Sequence, residues 1–137
     1  MRLPHKEAYT RLGVSAIHGV GVFAVVPILK GPNVFEHDEV EIVWVPLKLL
    51  KEPGINPELL RLYHDFGVTR GDVIGVPPTF NSLTPGWYVN EPAPGAAANV
   101  ALSDGFEFFA IRNIAPGEEV TAVYARYSEP SVLAASL

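Results

Sequence analysis

Cysteine is absent from the 137-residue sequence. Its absence excludes a disulfide scaffold and any zinc site built on thiolates. Long apolar runs are also missing, because the most apolar stretch, residues 20–29, contains Pro27 and has about half the length that a membrane span needs. No basic and then apolar signal segment opens the sequence. We therefore expect a cytoplasmic protein with no membrane partner.

Basic residues are few and scattered. The chain has ten lysines and arginines and fifteen acidic residues, which gives a formal net charge of −5. A surface that binds nucleic acid needs clustered positive charge to meet the phosphate backbone, and the sequence has no such cluster. The sequence predicts no nucleic-acid partner.

Common catalytic motifs are missing as well. The sequence contains no GxSxG, no GxxxxGK[ST] and no HExxH, so hydrolase and NTPase chemistry of the usual kinds is unsupported. The acidic run at 36–39 (EHDE) is short, and adjacent side chains on a strand point to opposite faces, so we interpret it as a solvated turn and predict no metal site. His64 and Asp65 are either an acid–base pair or, as we favour, the polar end of a helix.

The composition indicates a single domain of short strands and loops. Nearly half of the residues are apolar, enough for a real core, whereas thirteen prolines and twelve glycines interrupt the apolar segments. We expect one domain over 1–137, with a core at about 10–127 and a tail at 128–137. Two apolar runs rich in β-branched residues, 20–26 and 40–45, predict strands.

One helix has clear start and stop signals. Asn56 is suited to the N-cap and Pro57 to the first helical position, an apolar face follows, and Gly67 marks the end. A weaker helical turn is predicted for 46–51.

The last third of the chain predicts a hairpin and a further strand. Residues 99–103 and 106–112 flank the pair Asp104–Gly105, which suits a two-residue turn with positive φ. The Pro-Gly pair within 115–117 indicates a type II turn, and the alternating segment 118–125 predicts the strand that follows it.

Three segments carry the more specific signals. In 15–31 (SAIHGVGVFAVVPILKG), Gly19 and Gly21 flank Val20 inside a strand-like run, which indicates a bulge or a close approach of the backbone to something bound. In 87–100 (WYVNEPAPGAAANV), Asn90 and Asn99 flank a spacer of small residues, and their simplest interpretation is two turn asparagines. The third segment, 108–124 (FFAIRNIAPGEEVTAVY), ends in Tyr124.

In this order the three segments resemble the SET domain, the fold of protein-lysine methyltransferases that use S-adenosylmethionine. The resemblance extends from about residue 10 to about residue 127. The first motif is matched by Ser15, Ile17, Gly19, Gly21, Val22, Phe23, Ala24, Ile28, Gly31 and Val34. The later motifs are matched by Asn90, Asn99, Phe109, Ala110, Arg112, Ile114, Gly117, Glu118, Glu119, Val120, Thr121 and Tyr124.

The resemblance implies a fold, a cofactor and a set of site residues. The expected fold is mostly β with short helices: a SET-domain, β-clip-like arrangement of several small sheets with a C-terminal knot-like element. The expected cofactor is S-adenosylmethionine, and the expected partner is a protein substrate with an accessible lysine. Tyr124 falls at the family's catalytic tyrosine. The cofactor-binding residues that the resemblance implies are Gly19, Val20, Gly21, Asn90 and Glu91.

Methyl transfer from a sulfonium consists mainly of aligning a neutral amine with the methyl carbon. An apolar, aromatic channel would disfavour the charged form of the substrate lysine. Each aromatic candidate for that channel has core packing as its alternative, which we favour. The candidates are Phe80, Trp87, Tyr88, Phe109 and Tyr127.

The sequence departs from the SET pattern close to the expected site. Glu91 stands where the family has histidine, and Pro92 stands at the serine position. An ionised glutamate only accepts hydrogen bonds, whereas histidine also donates them. Two hypotheses follow: an active, compact protein-lysine methyltransferase, or a SET fold without catalysis that serves as a binding module. The short tail or a second subunit of a homodimer would have to complete the substrate channel.

Overall fold

The computed structural model of the protein describes residues 3–5, 8–36, 38 and 41–124. This part of the chain is mostly β with short helices, as the sequence predicted. Its strands are β1 (Thr10–Val14), β2 (Val20–Ala24), β3 (Val43–Pro46), β4 (Val68–Arg70), β5 (Val73–Val76), β6 (Val100–Leu102), β7 (Phe108–Ala110) and β8 (Glu119–Val120). Its helices are α1 (Pro57–Phe66) and two 3₁₀ helices, Leu47–Lys51 and Pro85–Tyr88.

The chain divides into two compact units. The first contains the described residues of Met1–Asp38 and Tyr88–Val123, and the second contains those of Glu39–Trp87 together with Tyr124. The first unit holds an antiparallel sheet of order β1-β2-β8 and the β6-β7 hairpin, and the second holds an antiparallel sheet of order β3-β5-β4. The expectation of one domain over 1–137 stays a prediction.

The two faces of the β1-β2-β8 sheet differ in polarity. Val22 lies opposite Val120, and both are fully buried. Phe23 lies opposite Glu119. Because successive side chains of a strand alternate, Phe23 and Glu119 point to the face opposite the buried valines. On that face the Phe23 ring covers Gly13, where a Cβ would lie 3.1 Å from the ring.

Both predicted strands in the first part of the chain exist, with shifted ends. β2 ends at Ala24, before Pro27, whose ring lacks the N–H that a ladder needs. The strand predicted at 40–45 is β3, which runs from Val43 to Pro46, and residue 40 lies outside the described residues.

The predicted helix is confirmed at both ends. The Asn56 side-chain oxygen accepts the backbone N–H of Glu58 at 2.8 Å, as an N-cap does. Gly67 ends α1 with an extended backbone, and a Cβ at this position would clash with the Ile74 side chain on β5. A small residue is therefore required because the end of the helix packs closely on the sheet. The weaker turn predicted for 46–51 is the 3₁₀ helix Leu47–Lys51.

The core of the second unit lies between its sheet and its helices. Four buried side chains form its centre, and four partly buried residues pack against them. The buried residues are Leu47, Leu50, Ile74 and Val76, and the surrounding ones are Val45, Leu60, Tyr63 and Phe80.

The β6-β7 hairpin is present, but the predicted two-residue turn at Asp104–Gly105 is wrong. The N–H of Ser103 donates to the Glu107 carbonyl at 2.8 Å, and the N–H of Phe106 donates to the Ser103 carbonyl at 3.0 Å. The positive φ belongs to Phe106, at 61°. In a three-residue hairpin loop, the residue directly after a type I turn has the left-handed conformation, and here that residue is Phe106, one position after Gly105.

The turn at 115–117 is confirmed. The N–H of Glu118 donates to the Ala115 carbonyl at 3.0 Å, and Gly117 has φ of 84°, as a type II turn requires.

The segment after this turn lies between several parts of the first unit. Its Thr121 carbonyl accepts the backbone N–H of Asn99 at 3.2 Å, and the N–H of Ala122 donates to the Asn90 carbonyl at 3.0 Å. Asn90 and Thr121 form a parallel bridge. Because its hydrogen bonds are divided among these partners and β2, the strand predicted over 118–125 is wrong in length, and β8 has only two residues.

Candidate functional site

The side-chain amide of Asn90 joins two distant parts of the first unit. Its nitrogen lies 3.0 Å from the His18 carbonyl, 3.3 Å from the Val20 carbonyl and 3.0 Å from one carboxylate oxygen of Glu119. An amide nitrogen carries two hydrogens, so these three acceptors share both of them. The Asn90 nitrogen therefore points to the 18–20 loop and to β8.

Ser15 joins the same cluster from the start of the loop. Its hydroxyl donates to the Glu119 carboxylate, with oxygen–oxygen distances of 2.8 and 3.0 Å. The same hydroxyl oxygen accepts the N–H of Ile17 at 2.9 Å and that of His18 at 3.2 Å. The N–H of Ser15 donates to the Gly19 carbonyl at 2.8 Å. These bonds close 15–19 into a tight turn.

Gly19 in the loop and Gly21 in β2 have different roles. Gly19 has φ of 47°, and a Cβ there would meet nothing within 4 Å, so it serves the turn conformation and borders open space. A Cβ on Gly21 would lie 2.5 Å from a Glu119 carboxylate oxygen. Gly21 thus leaves room for that carboxylate.

The bulge interpretation of this segment is wrong. Gly21 pairs with Gly13 and Val20 pairs with Val14 in an unbroken antiparallel register, so no extra residue is inserted. The close approach that the sequence indicated does exist, and within the chain it is made by Glu119.

Asn99 makes a second, more deeply buried connection to the same segment. Its nitrogen donates to the Glu119 carbonyl at 2.7 Å and lies 3.2 Å from a Glu118 carboxylate oxygen, and its oxygen accepts the Thr121 N–H at 2.8 Å. Asn99 is 1% exposed. The interpretation of Asn90 and Asn99 as two turn asparagines is wrong, because the side chains of both form hydrogen bonds with residues 118–121.

The carboxylate of Glu118 is held outside this site. Arg112 lies 2.6 Å from it, and the N–H of Ala115 donates to it at 3.1 Å. Burial acts to raise the pKa of Glu118, but the hydrogen bonds from Arg112, Ala115 and Asn99 outweigh burial, and its pKa is lowered from the usual 4.5. Glu118 is therefore ionised at neutral pH.

The structure brings together four of the predicted site residues, namely Gly19, Val20, Gly21 and Asn90. Glu91 follows Asn90 and is exposed, and Tyr124 is half-buried and belongs to the second unit. The roles of Glu91 and Tyr124 stay predictions.

Sequence reasoning treated Ser15 and Glu119 only as motif positions and missed their place in the site. The available signal was strand alternation: the apolar Val120 next to Glu119 indicates that the glutamate points away from the core. Alternation alone does not say which residue Glu119 faces across the sheet.

The aromatic channel candidates differ in their surroundings. Phe80 packs against Tyr63 and Phe66, with ring centroids 5.2 and 6.4 Å apart, so it belongs to the core of the second unit. Trp87 and Tyr88 are half-buried in a 3₁₀ helix, Phe109 is 36% exposed on β7, and Tyr127 lies outside the described residues.

Neither acidic nor histidine clusters point to a metal. Within residues 3–5, 8–36, 38 and 41–124, no group of three or more histidine and acidic side chains is arranged to hold a metal ion. Of the run at 36–39, Glu36 lies exposed in a turn, while residues 37 and 39 fall outside the described residues. His64 and Asp65 lie 3.6 Å apart at the end of α1, and both are nearly half exposed.

No helix in the described part is long and apolar enough to cross a membrane.

No family model matches the chain, and no curated protein matches it in sequence. Solved structures do resemble it. One is a candidate histone methyltransferase from Plasmodium falciparum, with 19% identity, a TM-score of 0.49, and 85% of this chain and 92% of the other covered. Another is the methyltransferase domain of human PR domain-containing protein 2, with 22% identity, a TM-score of 0.49, and 95% and 84% covered.

Proposed function

We propose that the protein is an S-adenosylmethionine-dependent methyltransferase that transfers a methyl group to a lysine side chain of another protein. One observation carries the proposal: the Asn90 amide joins the 18–20 loop to Glu119. His18 and Asn90 are 72 residues apart in sequence. The three segments whose motifs resemble those of SET domains thus meet at one side chain.

The chemistry of the cluster fits the cationic part of this cofactor. Its methionine end carries a sulfonium and an ammonium group, and the cluster presents hydrogen-bond acceptors: the carbonyls of His18 and Val20 and the carboxylate of Glu119. Open space beside Gly19 leaves the backbone of the loop accessible. We assign cofactor binding to Gly19, Val20, Gly21 and Asn90, with Glu91 at the edge of the site.

When bound, the cofactor supplies an activated methyl group. The task of the chain is to orient the reactants, since a sulfonium needs neither an acid nor a metal to release its methyl. The hydroxyl of Tyr124 would orient the methyl by hydrogen bonding, and an apolar lining would lower the pKa of the substrate lysine so that its amine is neutral. A protein with an accessible lysine is the proposed substrate.

A second candidate function is a binding module without catalysis. Two observations favour it: the hydrogens of the Asn90 amide are already used within the chain, and an exposed Glu91 stands where the family has histidine. In this case the motif residues hold the fold together and transfer no methyl group.

Calorimetric titration of S-adenosylmethionine, and of its demethylated product, into the 137-residue protein separates the two functions. The methyltransferase predicts binding in the micromolar range, about −8 kcal/mol. No heat, and no thermal stabilisation at millimolar cofactor, would reject it in favour of the binding module.

Transfer is then tested with isotope-labelled cofactor and a lysine-rich protein mixture. We expect Tyr124→Phe to abolish labelling while it retains cofactor binding. Tyr63→Phe, which removes a hydroxyl from the core of the second unit, is the matched control and should leave labelling unchanged. Sedimentation with and without cofactor tests whether the protein forms the homodimer that could complete the substrate channel.

A further inference from the structure

The carboxylate of Glu119 contacts each segment of the candidate site. One oxygen lies 2.8 Å from the Ser15 hydroxyl, the other lies 3.0 Å from the Asn90 nitrogen, and the carboxylate occupies the space beside Gly21. The resemblance to SET domains implies no role for Glu119 beyond a matched motif position. Its backbone pairs with Phe23 in β2, so the side chain projects from a strand of the sheet.

The Glu119 carboxylate determines which way the Asn90 amide points. A carboxylate only accepts hydrogen bonds, as do the carbonyls of His18 and Val20. If the amide were reversed, its oxygen would face these three acceptors and both hydrogens would lose their partners. The bond to Glu119 is also charge-assisted, and such bonds are the stronger ones.

We infer that Glu119 is a positioning residue: it orients the Asn90 amide toward the 18–20 loop and thereby sets the affinity of the site for a cationic ligand. The inference rests on the proposed function for the identity of that ligand, S-adenosylmethionine. The orientation of the amide is a separate claim, and it is measurable without any ligand.

The sequence makes the measurement simple. It contains six asparagines and no glutamine, so an ¹⁵N–¹H spectrum of the whole protein shows six side-chain amide groups. Asn90→Ser identifies the Asn90 signals by their loss. In the native protein we expect both Asn90 protons to be shifted away from the exposed amides and to exchange slowly with water.

Glu119→Gln is the test and Glu118→Gln is its matched control. The two glutamates are adjacent, but Glu118 contacts Asn99 and Arg112 instead of Asn90. Glu119→Gln should move the Asn90 signals toward those of exposed amides and weaken S-adenosylmethionine binding about tenfold or more. Glu118→Gln should move the Asn99 signals and leave both Asn90 and the binding constant unchanged.

Ser15→Ala provides a second, milder test in case Glu119→Gln fails to fold. It removes one anchor of the carboxylate and keeps the Asn90 contact, so we expect the Asn90 signals to move in the same direction by a smaller amount. If Glu119→Gln folds and leaves the Asn90 signals in place, or if Glu118→Gln weakens binding equally, the inference is overturned. If the wild type binds no S-adenosylmethionine, the proposed function is wrong, and so is the inferred effect of Glu119 on cofactor affinity. The Asn90 signals still show whether Glu119 orients the Asn90 amide.

Discussion

Gly21→Ala probes the contact that lies at the centre of the site. The added Cβ would lie 2.5 Å from one Glu119 oxygen and 2.8 Å from the carboxyl carbon, both closer than van der Waals contact allows. These atoms are the far end of a flexible side chain, so the strand itself need not move. The carboxylate must move instead, and it then leaves Ser15 and Asn90.

The cost follows from those two hydrogen bonds. A hydrogen bond to a charged group contributes about 1.5–3 kcal/mol, and a half-exposed acceptor recovers part of that from water. With both bonds to Ser15 and Asn90 lost and partly replaced by water, we expect Gly21→Ala to lower the free energy of unfolding by about 2 kcal/mol.

A double-mutant cycle tests this explanation: urea unfolding of the single and double variants gives the coupling free energy between positions 21 and 119. In a Glu119→Ala background the carboxylate is gone and the Ser15 Cβ, 3.1 Å from the added Cβ, is the close neighbour that remains, so Gly21→Ala should cost less than about 1 kcal/mol there. Gly13→Ala, which meets the Phe23 ring at 3.1 Å on the same sheet, serves as control and should cost the same in both backgrounds. If Gly21→Ala and Glu119→Ala prove additive, the carboxylate is not what requires a glycine here.

Two further predictions concern pH and backbone conformation. Because the pKa of Glu118 is lowered in the folded protein from its usual 4.5, its ionised form stabilises the fold above that value, and this contribution is lost as pH falls through the folded-state pKa. The difference in unfolding free energy between the wild type and Glu118→Gln should therefore shrink as the pH falls from about 4.5 through the folded-state pKa in chemical denaturation, and a constant difference would contradict the assignment. Gly105→Ala should stabilise the protein by about 0.4–1 kcal/mol, whereas Gly117→Ala should destabilise it by about 1 kcal/mol, because only Gly117 has positive φ. Thermal unfolding of both variants tests the pair, and stabilisation by Gly117→Ala would refute the turn assignment.

Local signals predicted the local structure well. The helix from Pro57 to Phe66 was predictable because its cap, its first-turn proline and its stop all lie within the segment they define. The turn at Asp104–Gly105 was mispredicted for a related reason: the dipeptide does not determine loop length, and a loop one residue longer moves the left-handed position to Phe106. The short β8 was beyond local reasoning, since its partners are far away in sequence.

The contacts within the candidate site were harder to predict from the sequence than the secondary structure was. Periodicity and composition did not indicate that Asn90 meets the 18–20 loop, and only the family resemblance placed them together. The contact between Gly21 and Glu119 depends on the register of β2 against β8, which strand alternation leaves undetermined. The two glycines correctly indicated that another group lies close to the backbone. Within the chain, that group is the Glu119 side chain, 98 positions after Gly21.

The location of Glu119 late in the sequence has a consequence for how the protein is made. Ser15 and Glu119 are 104 residues apart, so the contact that closes the loop is among the least local in the described chain. Such contacts form slowly, because the entropy of closing a long loop opposes them. During synthesis the first strands leave the ribosome long before Glu119 does. A nascent or truncated chain that lacks β8 therefore also lacks the Glu119 contacts that hold Ser15 and Asn90 in the candidate site.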